Sequence, residues 1–215
     1  MEWNEKQLKI LKVAENLFSQ KGFEGTSVRD IAKEAQVNIA MISYYFESKE
    51  NLLFNLIQYR MENSYLILKK VKDDTHFSPW EKMEQIIEYY IEMILQNRNF
   101  HAIISRQMSL IQSESLRKLL VEVKRRNSQQ IFEIYKEGVD KKVFNDFEII
   151  LVISSLVGTI SQIHMSRPFY SNLYNIPMEN EQNYFEIMKP KLKEHLKNML
   201  RNYLLIQPKN NPQSL

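Results

Sequence analysis

The chain has no cysteine, and only four glycines, six prolines and two tryptophans among its 215 residues. Without thiols there is no disulfide, no thiolate nucleophile and no cysteine-held metal centre, a composition that suits a reducing cytoplasm. The scarcity of glycine leaves no phosphate-cradling loop. With little strand-like alternation, it points to an all-α fold. The four histidines, His76, His101, His164 and His195, lie too far apart for a helical ligand pair, so neither a metal nor a cofactor is expected. No charge of one sign dominates: 29 bases face 26 acids. From residue 1 to 49, Lys6, Lys9, Lys12, Lys21, Arg29, Lys33 and Lys49 are matched one for one by Glu2, Glu5, Glu15, Glu24, Asp30, Glu34 and Glu47. Charge therefore gives no support for a nucleic-acid partner. Long apolar runs are missing as well. The most apolar stretch, Ile149–Ile163, is broken by Ser154, Ser155, Thr159, Ser161 and Gln162. It is too short and polar to span a membrane and reads better as an interface helix. The charged N-terminus lacks the apolar segment of a secretory signal.

What is present is helical periodicity. In Leu8–Gln20, the residues Leu8, Leu11, Ala14, Leu17 and Phe18 share one face. Lys21-Gly22 ends that helix with a residue suited to a left-handed cap. Thr26 or Ser27 caps the next, whose buried stripe is Val28, Ile31, Ala32 and Ala35. After a tight turn at Gln36-Val37-Asn38, a third helix starts at Asn38. It turns Ile42 inward and Ile39, Ala40, Met41 and Ser43 outward, with Tyr44 or Tyr45 beside them. A short helix apolar on both sides needs a partner for its outer side, and thymine methyl groups in the DNA major groove are one. A small core helix in an unrelated bundle fits this pattern equally well. Ser48 caps a fourth helix with Leu52, Leu53 and Leu56 inside.

The order of these residues narrows the choice. Ala14…Leu17-Phe18, Gly22-Phe23, Thr26-Ser27-Val28, Ile31-Ala32, Ala35-Gln36-Val37, Tyr44-Tyr45-Phe46, Ser48-Lys49-Glu50 and Leu52-Leu53 run without a gap over residues 8–56. The segment resembles the N-terminal domain of TetR-type transcriptional repressors. It departs from that family at Gln36, where glycine is usual, and at Ser43, where tyrosine is usual. The resemblance implies a three-helix helix-turn-helix DNA-binding domain over residues 1–49. A C-terminal helical ligand-binding and dimerisation domain would follow over 50–206, with a polar tail at 207–215.

For the DNA contacts it implies Thr26 and Ser27 at a helix N-terminus holding phosphate. Arg29 would reach a base edge or phosphate, and Asn38, Ile39, Ala40, Met41 and Ser43 would face the groove. Tyr44 and Tyr45 would donate hydroxyl hydrogen bonds to phosphate, and Lys49 would contact phosphate. With balanced charge, few ionic contacts per subunit and a moderate salt dependence are expected.

Beyond Leu56 the periodicity predicts further helices over Pro79–Gln96, Asn99–Gln112 and Glu114–Gly138, then one from a cap at Asp146 to about Ser166. A loop is expected over Arg167–Asn180, and a last helix ends near Leu205, with Pro190 either starting or kinking it. The resemblance implies a homodimer through helices at about 147–165 and 188–205, with Ser154, Ser155, Gly158 and Ser161 allowing close approach. It also implies a small-molecule effector whose binding releases a roughly palindromic operator. Candidate lining residues are Tyr65, Ile86, Tyr90, Met93, His101, Ile104, Met108, Phe132, Tyr135 and His164. Rival chemistry is thin. Ser115-Leu116-Arg117-Lys118 fits S-x-x-K without companion motifs, and Lys124-Arg125-Arg126 reads as a solvated helix face. No enzyme is expected. The other class left open is a helical interaction protein whose DNA reader has degenerated.

Overall fold

The computed structural model describes residues 3–96, 100, 103, 114–178 and 181–206. Among them the chain is all α: α1 (Glu5–Lys21), α2 (Val28–Ala35), α3 (Ile39–Phe46), α4 (Lys49–Asp73), α5 (Pro79–Gln96), α6 (Glu114–Asp140), α7 (Ile149–Met165), α8 (Arg167–Leu173) and α9 (Glu181–Leu204). The one β feature is an isolated bridge between Phe144 and Leu205. No single described helix is long and apolar enough to cross a membrane. The helix expected over Asn99–Gln112 lies almost entirely outside the described residues.

Contacts divide the chain into two compact units, residues 1–66 with 97–126, and residues 67–96 with 127–215. In the first, α1, α2, α3 and the start of α4 close around Ile10, Leu11, Phe18, Ile31, Ile42, Phe46, Leu52 and Leu56. Phe100, Ile103, Leu116 and Leu120 belong to the same core. The packing that supports the helix-turn-helix thus runs well past residue 49. A carboxylate is buried at its edge. Glu15, 5% exposed, takes a two-pronged hydrogen bond from Arg60 of α4, at 2.8 Å from Nε and 2.7 Å from a terminal nitrogen. That geometry is what a desolvated carboxylate requires.

The second unit is built on α5, packed along α9 and α7, around Ile87, Ile91, Ile134, Ile160, Leu196 and Leu200. Lysines on α9 meet glutamates on α5 at helical spacing: Lys189 pairs with Glu92, Lys193 with Glu88 at 2.7 Å and Lys197 with Glu84 at 3.0 Å. Lys193 holds the Glu88 carboxyl below its ordinary range, and Glu92 raises Lys189. In α6, Gly138 is required by packing: a Cβ there would come within 2.0 Å of the Phe144 ring.

Several boundaries differ from the sequence expectation. Helix α1 starts three residues early, because Asn4 and Gln7 form a reciprocal capping box. Gly22 after it has positive φ (77°) but ψ of 167°, so it is not a left-handed cap. Asp146 does not cap α7. Its carboxylate lies 2.9 Å from the Tyr135 hydroxyl, and Glu148 precedes the helix. The segment 167–173, expected as loop, is a short helix because Pro168 sits in its first turn, where no amide donor is needed. Pro190 lies inside α9, which begins at Glu181. It is exposed, on a side of α9 that also leaves Glu186, one turn earlier, open to water. Arg126 is not a solvated cation either: it bonds Glu62 at 2.7 Å and lies over the Tyr65 ring.

Two outcomes follow from this packing. Arg60→Met leaves the Glu15 carboxylate buried without its partner and should destabilise by about 3 kcal/mol in chemical denaturation. Glu15→Leu/Arg60→Met should recover most of that loss. An equal loss in the single and double variants would remove the pairing argument. At the turn between α2 and α3, Gln36 sits in the left-handed region at φ 55°, ψ 46°, a conformation that costs a side-chain-bearing residue about 1–2 kcal/mol. Gln36→Gly should therefore raise the melting temperature, and an unchanged or lower value would show that the turn carries no such strain.

Candidate nucleic-acid interface

The exposed side of α3 is the centre of the site. The helix is eight residues long and starts at Asn38, whose side chain accepts the Ala40 amide at 2.9 Å. Ile42 and Phe46 are buried. Around the other side Ile39 is 42% exposed and Tyr44 81% exposed, with Ala40 and Ser43 also open and Met41 and Tyr45 half-buried. The Tyr44 and Tyr45 rings meet edge to face at 5.2 Å. The turn that presents α3 is closed by the Gln36 amide, which donates to the Ala32 and Lys33 carbonyls, and by Val37, which donates to Ala32 at 3.0 Å. Arg29 projects from α2 and is exposed.

Three of the residues expected at phosphate engage their side-chain donors within the protein itself. Thr26 is 1% exposed, and its hydroxyl donates inward, 2.8 Å from the Gly22 carbonyl and 3.2 Å from that of Leu17. Ser27 is the true N-cap of α2, but its hydroxyl proton goes to Asp30 at 2.6 Å while its oxygen accepts the Asp30 amide. The Ser27 hydroxyl and amide hold the half-buried Asp30 carboxyl below its ordinary value, so a carboxylate already occupies this helix end. Lys49 reaches back instead of outward. Its ammonium donates to the carbonyls of Phe23 at 2.9 Å and Thr26 at 3.1 Å and lies 4.3 Å from the centre of the Phe23 ring. The sequence placed Lys49 at the helix start correctly, but only the folded chain could show that it is used internally.

In the second unit a small void of about 10 Å³, room for about one water, lies among Met83, Ile86, Tyr90, Ile131, Val152, Ile153, Leu156 and Leu200. Of the expected lining residues, Ile86 and Tyr90 are here, and burial pushes the Tyr90 phenol above its ordinary range. The other described candidates do not line it. Tyr65 belongs to the other unit, beneath Arg126. Phe132 is exposed. Tyr135 is buried, but its phenol is spent on the 145–147 segment, accepting the Phe147 amide at 2.5 Å. Met93 accepts from Tyr89, and His164 is half-buried on α7. His101, Ile104 and Met108 lie outside the described residues. Sequence periodicity missed Val152, Ile153 and Leu200 as lining residues, because they read as ordinary core. Among the described residues no three His, Asp or Glu side chains gather as a metal site.

Comparison with known proteins agrees with this geometry. The model for bacterial regulatory proteins of the tetR family matches residues 10–56, and that for the tetracyclin repressor-like C-terminal domain matches residues 76–165. The "Probable HTH-type transcriptional regulator YttP" of Bacillus subtilis is 38% identical over 42% of this chain; the match spans 43% of YttP, less than half its length. The HTH-type transcriptional regulator SAB2452 of Staphylococcus aureus is 26% identical over 81% of this chain and 94% of its own. Among solved structures, the transcriptional regulator FadR of Bacillus subtilis in complex with stearoyl-CoA superposes with a TM-score of 0.67 at 18% identity, covering 88% of this chain and 96% of that one. Matched over residues 10–56 and 76–165 and in its fold, this chain belongs to the TetR family of bacterial transcriptional regulators.

Proposed function

We propose that the protein is a cytoplasmic homodimeric repressor that reads a palindromic operator through α3 and is released by a small apolar effector. The observation that carries this is the outer side of α3. Ile39, Ala40, Ser43 and Tyr44 stand open on a two-turn helix whose inner side is locked into the core by Ile42 and Phe46. Ile39 to Ser43 would enter the major groove, with Asn38 at its rim. The Tyr44 and Tyr45 hydroxyls and Arg29 would hold the phosphate backbone. Lys49 would act by fixing the loop between α1 and α2.

Dimerisation is supported by α7. Leu151 and Met165 are 64% and 66% exposed on the side that carries Ser154, Ser155 and Gly158. A Cβ at Gly158 would meet nothing within 4 Å, so a second backbone has room to approach. On α9 the open residues are mostly polar, with Pro190 and Tyr203 the exceptions among those described. The effector site would be the void at Ile86 and Tyr90, enlarged on binding. Its lining is apolar apart from one phenol, which favours an apolar ligand. FadR of Bacillus subtilis is solved with stearoyl-CoA, whose acyl chain is apolar although its coenzyme A portion is not. No site chemistry supports catalysis.

Selection of duplexes from a random library at near-physiological salt should enrich a palindrome whose half-sites lie about one helical turn or more apart. Failure of effector-free protein to enrich any motif would favour an interaction protein with a degenerate reader. With the operator in hand, Lys49→Met should weaken binding and lower the melting temperature, because the Phe23 and Thr26 carbonyls lose the ammonium that ties them to α4. The slope of log Kd against log salt should not change. A slope smaller by about one would make Lys49 a phosphate contact after all.

A further inference from the structure

Helix α3 runs Ile-Ala-Met-Ile-Ser-Tyr-Tyr-Phe and contains no arginine, lysine, asparagine, glutamine or acid. Guanine is read in the major groove by Arg or Lys on its N7 and O6, adenine by Asn or Gln on its N6 and N7, and cytosine by an acid on its amino group. None of these side chains stands on α3. Asn38, at its start, has its side-chain oxygen committed to the Ala40 amide. What α3 does present is hydrocarbon: Ile39, nearly half exposed, and Ala40 on the first turn, with Ser43 and Tyr44 one turn further on. Spacing of four places Ile39 with Ser43, and Ala40 with Tyr44, along the outer side. The balanced charge of residues 1–49 also limits how much affinity phosphate attraction supplies, so base contacts must carry a larger share.

Resting on the operator-reading function proposed above, we infer that the half-site is an A·T-rich sequence recognised chiefly through thymine 5-methyl groups, with Ile39 and Ala40 as the methyl-reading residues. The apolar side chains bury these methyls. Ser43, which pairs with any base, adds little discrimination. Ile39 is the main specificity determinant because it is the largest exposed apolar group on the first turn.

The test uses the full-length protein and the operator recovered by selection. Each half-site thymine is replaced in turn by deoxyuridine, which removes the 5-methyl group and nothing else. Each contacted position should lose about fourfold in affinity, the worth of one buried methyl, and at least two such positions are expected per half-site. In Ile39→Ala, whose truncated side chain is exposed and outside the core, the loss at one of these positions should shrink towards none while the others persist. Circular dichroism and melting temperature check that this variant is folded. Replacement of each half-site guanine by 7-deazaguanine, which deletes the N7 acceptor, should change affinity less than twofold. Deoxyuridine tolerated at every position, or a tenfold loss with 7-deazaguanine, would overturn methyl recognition while leaving operator binding intact. If no duplex is enriched at all, the operator-reading function fails, and this inference fails with it.

Discussion

The reading end of the molecule depends on the short connection between α1 and α2. Residues 22–26 carry carbonyls outside the helical pattern; the Thr26 amide reaches that of Phe23 at 3.3 Å, and two side chains from different parts of the chain supply further donors. Thr26 turns its hydroxyl back onto the end of α1, and Lys49, from the first turn of α4, reaches the Phe23 and Thr26 carbonyls. Buried carbonyls without donors are costly, so these bonds hold the end of α1, the start of α2 and the start of α4 in one arrangement. Helix α3 lies between α2 and α4 in sequence, and its exit at Glu47 adopts positive φ (63°). Its orientation is therefore set from both ends. The Phe23 ring beneath the Lys49 ammonium adds to the tie, since a cation over an aromatic face is favourable where water is partly excluded.

The same constraint explains what the sequence could and could not disclose. Helical periodicity, the cap at Ser27 and the family-like order of residues 8–56 locate the helices and the open side of α3, because each of these is a local property. The polar ties are not local. Lys49 and Phe23 are 26 residues apart, and Glu15 and Arg60 are 45 apart. Nothing in periodicity tells a lysine that turns inward from one that faces DNA. Some misses were legible. Asn4 and Gln7 are a capping pair at the required spacing of three, and Pro168 is as good a signal for a helix start as for a loop. Others depend on tertiary contact, such as the capture of Asp146 by the Tyr135 phenol, which takes the carboxylate away from the start of α7.

In the second unit the division between structure and site is less sharp. The lysine–glutamate ladder between α5 and α9 is partly exposed, so each pair adds little stability. Its repetition at helical spacing instead fixes the register of one helix along the other. Among the described residues the apolar side chains leave a water-sized gap at Ile86 and Tyr90. If that gap is the effector site, as proposed, a ligand would enlarge it, and binding would work by stabilising the enlarged state in proportion to its extra affinity for that state.

Strain and specificity meet at Gln36. A glycine would take its left-handed conformation at little cost, yet a side chain is present, so the turn is held by the packing of Ala32, Ala35 and Val37 and not by local preference. A turn stabilised in this way cannot easily shift α3 to suit a different operator, because any change in its angle must be accompanied by a change in the core behind it. Discrimination must then come from the outer side chains in the orientation the turn imposes. An apolar set in a fixed orientation recognises methyl position closely and charge hardly at all. Loss of Ser27, Thr26 and Lys49 as outward-facing donors moves the balance the same way, since each donor spent on the protein's own backbone is one fewer for phosphate. The departures from the family pattern at Gln36 and Ser43 are thus parts of one design. On the proposed reading it would be a rigid surface that relies on shape and hydrocarbon contact where a more basic reader would rely on the phosphate backbone.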